Sequence, residues 1–425
     1  MGSSHLQPTL DAPRIIHLTR AAQLSIVQSF TQTASTIEHL RRFVTRVAGG
    51  AAQLGPRAPS QFRQMTRTME AFSEAVGTQL NKFNSWCAAR ERDIILSLAG
   101  SRPPLYVSLL NLERTIRDSF SHTFDSLLEV LRKVMGRATR SQDKNLEVWM
   151  LLDLPMRFSP FTVATFLLDT LLTAADSSSS NGETETSKAL MQVFTASAEP
   201  IWSMVGLWLK HGMPTRDPGS MQGADNLTAL DAEFFIQATG LPILDPDFWT
   251  EGFTIRDVDT EAYSSESVPL PLNLLGNHVL RAGKAVGLLL ILDLPLTDDA
   301  EAKPPWMTDW PTFAAVLQEH NTGALVKTSK EHLSRHVHDS ILPYCQTPQK
   351  RLAQVIATEC DLWLHLAAIE ELYFMWRGDV MAHFSGHIFA KVSRRGSFAS
   401  WISSRNADVD ISRWIQCKHG VTSTS

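Results

Sequence analysis

The residues best placed to do chemistry are a glycine-lysine pair, two histidine clusters and four cysteines, and each was tested against the spacing its chemistry needs. Gly283-Lys284 lies in GNHVLRAGKAVG. A phosphate-cradling loop needs a glycine five positions ahead of Gly283 and a hydroxyl residue after Lys284; the chain has His278 and Ala285 there. The tract also has helical periodicity, so its backbone amides are committed to the helix and cannot cradle phosphate. His332, His336 and His338 form an H-x3-H-x-H cluster whose first two members share one helical face. Leu333 stands where a metalloprotease helix needs its glutamate, and Lys330, Glu331, Arg335 and Asp339 make this an exposed face of mixed charge rather than a zinc site. His383 and His387 repeat the i, i+4 spacing between Met381, Phe384 and Phe389, which reads as a histidine pair at the edge of a core. Cys87, Cys345, Cys360 and Cys417 lack CxxC spacing and read as reduced thiols. No G-x-S-x-G elbow is present. The expectation is a protein that is not an enzyme, with no cofactor and no metal. Arg394-Arg395-Gly396-Ser397 fits a basophilic kinase site or a plain disordered end equally well.

The bulk composition narrows the partners. At 425 residues, 44% hydrophobic and 20% charged, the chain should fold into about two or three domains. A formal net charge of −5 supplies no positive field to recruit nucleic acid, so partners must be recognised locally. The opening MGSSHLQPTLDAPR has no apolar stretch of secretory length, which predicts a protein that is not exported. The longest apolar run, from Ala285 to Leu292, is far shorter than the roughly 20 residues a bilayer requires, so it reads as a buried helix segment and not a membrane insertion.

The elements that position these residues are helices. Leu24, Val27, Phe30, Ala34, Ile37, Leu40 and Val44 recur at steps of three and four, predicting a helix from Pro13 to Val47 ended by Gly49 and Gly50. A second helix, entered through Pro56 and Pro59 and closed by Gly100, carries Phe62, Met65, Met69, Phe72, Val76, Leu80, Phe83 and Cys87. A third, after Pro103 and Pro104, carries Leu109, Leu112, Ile116, Phe120, Phe124, Leu127, Leu131 and Val134. The segment from Phe161 to Ala175 is apolar nearly all round and should lie inside the packing. SSSSNGETETS, residues 177–187, reads as a polar solvent loop or insertion. Periodicity returns from Leu190 to Leu209, and again from Val268, Trp310 to Glu319, Thr328 to Leu342 and Arg351 to Phe374. Between them, Glu233 to Trp249 leaves room for short extended segments, and no sustained strand alternation or fixed repeat exists. The fold class is all-α, with elongated tandem helical bundles.

One tract discriminates further. Trp202-Ser-Met-Val-Gly206-Leu-Trp208-Leu-Lys-His-Gly212 is followed by Glu233-Phe234-Phe235-Ile236, Asp247-Phe248-Trp249 and Thr254-Ile-Arg256. It then reaches Val268-Pro269 and Val279-Leu280-Arg-Ala-Gly283-Lys284. In order and approximate spacing this resembles the first grip motif of the gamma-tubulin complex components. Glu371-Leu-Tyr-Phe-Met-Trp-Arg-Gly378-Asp-Val-Met381-Ala-His-Phe384 is similar to the stretch that enters the second grip domain of the same family.

The resemblance implies a disordered start over residues 1–11, a first grip domain over 12–360 containing the polar insertion at 177–187, the beginning of a second grip domain over 361–392, and a divergent or disordered tail over 393–425. It points to a larger, non-core member truncated in its second domain. The implied role is structural: sibling components pack side by side through the first domain, gamma-tubulin is held by the second, and microtubule minus ends are engaged indirectly. The implied location is the cytoplasm and cytoskeleton at microtubule organising centres, in fungi the spindle pole body. For the tract from Glu233 to Arg256 two roles stay open, a buried connection between bundles and a direct partner contact. The competing assignment, a helical adaptor scaffold for other cytoplasmic assemblies, needs stacked helix pairs of similar length, and the lengths read here are irregular.

Overall fold

Helix α1 (Arg20–Leu54) runs through Gly49 and Gly50 instead of stopping at them. A glycine costs a helix only about 1 kcal/mol, and the alanines around this pair are the best helix formers available. Helix α2 (Arg67–Leu98) starts at Thr66, whose side chain accepts from the Met69 amide. Helix α3 (Leu109–Ile116) begins at the Ser108 cap and passes through one π turn, Arg117–Ser121, into α4 (His122–Ala138). The computed structural model describes residues 18–54, 65–99, 108–139, 157–213, 231–241, 245, 247–256, 268–296, 310–321, 330–373 and 378–395. The prolines at 56, 59, 103 and 104, Gly100, Cys417 and the RRGS serine lie outside the described residues.

Helix α5 (Pro160–Ser180) has Ser159 as its cap and Pro160 in its first turn, and α6 (Thr184–His211) follows after a turn of three residues, 181–183. The polar loop expected over 177–187 is therefore a tight helical hairpin. Its serines satisfy their hydroxyls on nearby helical carbonyls: Ser177 donates to Thr173 O at 2.8 Å, Ser180 to Asp176 O at 2.9 Å and Ser187 across the hairpin to Ala175 O at 2.9 Å. Gly182, at φ +84°, supplies the left-handed residue of the turn. Polar composition here accompanies helical backbone on both sides of a three-residue turn.

Helix α6 is the hub of the bundle, packing on α5 and α2, while α1 packs on α2 and α4, and α4 on α5. Leu40, Phe43, Phe72, Phe124, Leu167, Phe194 and Trp208 are buried to 1% exposure or less. Fully burying such a side chain contributes about 1.5–3 kcal/mol. A polar ladder fixes α1 along α3 and α4: Ser29 to Glu113 at 2.8 Å, Thr33 to Ser121 at 3.1 Å and Thr36 to Asp125 at 3.0 Å.

Two short strands, β1 (Ile236–Ala238) and β2 (Phe253–Ile255), pair antiparallel with Gln237 opposite Thr254, and the single-turn helix α7 (Phe248–Glu251) lies in the loop between them. Helix α8 (Gly276–Ile291) packs on α6, as does α9 (Phe313–Asn321). Helix α10 (Lys330–Thr358) is continuous through Pro343 and Pro348, where two segments separated near those prolines were expected. The break falls instead at Asp361, at φ +48°, before α11 (Leu362–Tyr373), and α12 (Gly378–Arg395) follows. The all-α assignment holds. Among the described residues, no single helix is long and apolar enough to cross a membrane.

The chain divides into two compact units, Met1–Gln349 and Lys350–Ser425. The second presents much apolar surface: Trp363 is 70% exposed and Phe389 69%.

Candidate partner-binding tract

The tract is built around α6, along a seam where glycines stand against Trp208, Trp310 and Met213. A methyl group on Gly283 would lie 2.0 Å from Trp208 Nε1, one on Gly206 2.7 Å from the Trp310 ring, and one on Gly287 2.4 Å from Met213. Real carbon contacts do not come so close, so these positions admit only glycine unless the helices separate. With the space open, Trp208 Nε1 donates to Val279 O at 2.9 Å and Trp202 Nε1 to Pro311 O at 2.7 Å. Gly212 ends α6 at φ +67°, and its Met213 amide donates to Gly283 O at 3.2 Å.

The described residues between Asp231 and Arg256 pack over this seam. Glu233, 1% exposed, sends one carboxylate oxygen to the Arg67 amide and the other to the Thr68 amide at 3.0 Å and the Thr68 hydroxyl at 2.8 Å. The first three amides of α2 are thus all satisfied by side chains, two by Glu233 and the third by Thr66. Asp231 pairs with Arg67 at 3.3 Å beside it. Burial pushes the Glu233 carboxyl above its usual range, the hydrogen bonds from Thr68 and Arg67 pull it down, and Asp231 pushes it up again. Phe234 and Phe253 lie 6.3 and 5.6 Å from Trp208 between ring centres, and Arg256 donates to Phe234 O at 2.8 Å.

Lys284 is the mechanical surprise. It is 7% exposed, and its ammonium donates to Trp249 O at 2.9 Å and Thr250 O at 3.1 Å, two carbonyls at the end of α7. A phosphate role is replaced by a structural clamp on a surface turn. Burial lowers the Lys284 ammonium below the ordinary lysine value.

The structure therefore brings together Trp202, Gly206, Trp208, Gly212, Glu233, Phe234, Phe235, Ile236, Phe248, Trp249, Arg256, Pro269, Leu280, Gly283 and Lys284 within the first unit. The α12 residues Gly378, Met381 and Phe384 belong to the second. The earlier alternative splits along the tract. Glu233 to Ile236 are buried, whereas Trp249 is 39% exposed and Asp247 and Glu251 are exposed. Gly287, Arg67, Thr68, Asp231 and Asp169, whose carboxylate accepts from the Leu270 amide at 2.9 Å, were not foreseen. Gly287 alone left a sequence trace, four residues after Gly283 on the same face of α8.

Elsewhere, His332 is exposed, His336 bonds Val316 O at 2.8 Å, and His338 meets Asp339 at 3.0 Å. His383 and His387 are exposed, not at a core edge as expected, because α12 turns that face to solvent. Cys345 is buried with its thiol pushed up to about 12. Among the described residues, no group of three or more His, Cys, Asp or Glu is arranged to hold a metal ion.

The structure shows an all-helical body with a glycine-tight packing seam and a surface turn held by a buried lysine. Residues 3–359 match the gamma tubulin complex component N-terminal family, and the chain belongs to that family. No curated protein matches the chain. Membership implies a component of the gamma-tubulin complex, a structural role rather than an enzymatic one, and a place at cytoplasmic microtubule organising centres.

Proposed function

We propose that the chain is a structural subunit supporting microtubule nucleation, and that its first domain, residues 12–360, packs laterally against sibling gamma-tubulin complex components. The observation that supports this most is the reach of the family match, 3–359, over a body packed at Gly206, Gly283 and Gly287 too closely to admit a methyl group. Rigid bodies suit side-by-side assembly, because little conformational freedom is lost on docking. Residues 361–392, with Gly378, Met381 and Phe384 in α12, begin the second grip domain, which holds gamma-tubulin. Microtubule minus ends are reached through it. In a fungal cell the location is the spindle pole body.

Affinity purification of the tagged chain from a cell extract tests the reading. Sibling components and gamma-tubulin should be recovered together. Their consistent absence, with another helical assembly recovered instead, would leave the adaptor assignment standing in its place.

A further inference from the structure

The outer ends of α2 and α3 carry an apolar surface that the described residues leave uncovered. The two helices run antiparallel. Between ring centres Phe83 lies 5.8 Å from Phe124 and 5.2 Å from Phe120, while Trp86, further along α2, lies 5.6 Å from Phe120. In that register, eleven residues outward on each helix bring Ile94 level with Leu109. Both continue core stripes: Leu109 lies seven residues before the buried Ile116, and Phe83, Cys87, Ile94 and Leu98 follow one another at steps of four, seven and four. The covering elements stop first. Past Leu80, no residue of α2 is buried. Ile95, Leu98 and Leu110 are 56%, 84% and 64% exposed, and Ile94 and Leu109 are exposed beside them. A helical arm of this length is marginal in water by itself and gains its stability from a covered apolar face.

The charges at this end favour a copy of itself over a charged partner. From Arg90 outward α2 carries Arg90, Glu91, Arg92 and Asp93, and α3 with the π turn after it carries Glu113, Arg114, Arg117 and Asp118, two of each sign in both places. Arg90 pairs with Asp93 at 3.8 Å, Arg114 with Asp118 at 3.6 Å and Arg117 with Glu113 at 3.4 Å. A surface without net field neither steers in a partner of one sign nor repels a second copy, and a two-fold rotation sets its alternating signs against their opposites. Area agrees. The five aliphatic side chains expose on the order of 400 Å² of apolar surface, the size of patch that marks an interaction site on a monomer. With their polar rims, two such faces reach the roughly 1,200 Å² at which specific interfaces begin.

We propose that the outer ends of α2 and α3 form a two-fold contact with the same surface of a second copy of this chain. The contact goes beyond lateral packing on sibling components, since it needs no other protein.

The purified full chain is tested alone, by sedimentation velocity, in the Trp363→Ser background so that the largest exposed side chain of the second unit does not contribute. The parent should shift from monomer to dimer as its concentration is raised. Leu98→Glu should weaken that dimer about a hundredfold, roughly tenfold for each of the two places the symmetry puts it. Its melting curve should not move, because Leu98 is almost wholly exposed. In parallel, p-benzoyl-phenylalanine in place of Ile95, in a mixture of unlabelled and isotopically heavy chains, should join a light peptide of α2 or α3 to a heavy one. A parent that stays monomeric, a Leu98→Glu variant that dimerises as well as its parent, or crosslinks confined to one copy, for example to residues 1–17, each overturns the inference. Crosslinks from Ile95 to a sibling component in extract, with none to a second copy, overturn it too and leave the lateral scaffold reading in place.

Discussion

Two regions of this chain use the same residue types to opposite ends. Along α6, Trp202 and Trp208 are 2% exposed or less, each indole donates to a backbone carbonyl, and Trp208 fits against a glycine of α8 that leaves room for its ring. In α11 and α12 of the second unit, Trp363, Leu364, Leu366, Ile369 and Phe389 face solvent. By composition α11 is the more apolar, so apolarity does not decide which tryptophans are core. Opposed glycines and reachable carbonyls do.

The comparison breaks most visibly at Trp208. Trp208→Ala should destabilise the first unit by about 4 kcal/mol, read as a shift in the urea midpoint, because it removes a fully enclosed indole and strands the space around Gly283. A loss under about 1 kcal/mol would mean that the seam repacks freely and is no more rigid than the second unit. Next in size is Gly283→Ala, expected to cost about 3 kcal/mol since its methyl would fall on the five-membered ring of Trp208. Combining it with Trp208→Phe, which removes that ring, should recover part of the loss, and strict additivity in the double-mutant cycle would contradict the contact.

Glu233 sharpens the comparison on its polar side. Glu233→Ala leaves the Arg67 and Thr68 amides without their carboxylate and should cost about 2 kcal/mol. Its pH dependence has a definite sign. The folded-state carboxyl is raised above its ordinary value, so the stability linked to it is fully present below about pH 4.3, the usual glutamate value, and is lost as pH rises through the folded value. Wild type should therefore lose stability relative to Glu233→Gln as pH rises from 4 to 7, and parallel curves would refute the shift. Glu199, raised by its own burial, is common to both proteins and cancels.

Much of the fold is legible in sequence because helical burial follows one period. Leu40, Phe72, Phe124 and Leu131 sit in the core where spacing places them. Helix ends are less legible, since Gly49 and Gly50 do not stop α1 and the serines after Ala175 continue α5. Within the tract, residue identities could be read from the resemblance, but their partners could not. Glu233 caps a helix 166 residues earlier in the chain, and Trp208 bonds a carbonyl 71 residues later. No local pattern encodes such distances. Lys284 imitates half of a phosphate motif because burial beside free carbonyls and burial beside phosphate ask for the same cation.

The smallest expected effect lies at the other end of the comparison. Trp363, 70% exposed on α11, has little to lose on truncation, so Trp363→Ser should change stability by less than about 0.5 kcal/mol. Its burden is on solubility instead. A large indole among Leu364, Leu366 and Ile369 gives water an apolar face to be relieved of, so the serine variant should self-associate less at equal concentration, measured by light scattering. A loss of several kcal/mol would place Trp363 in a core of its own and erase the distinction from Trp208. An unchanged melting curve with reduced association would keep it: one tryptophan held by its own chain, the other still turned outward.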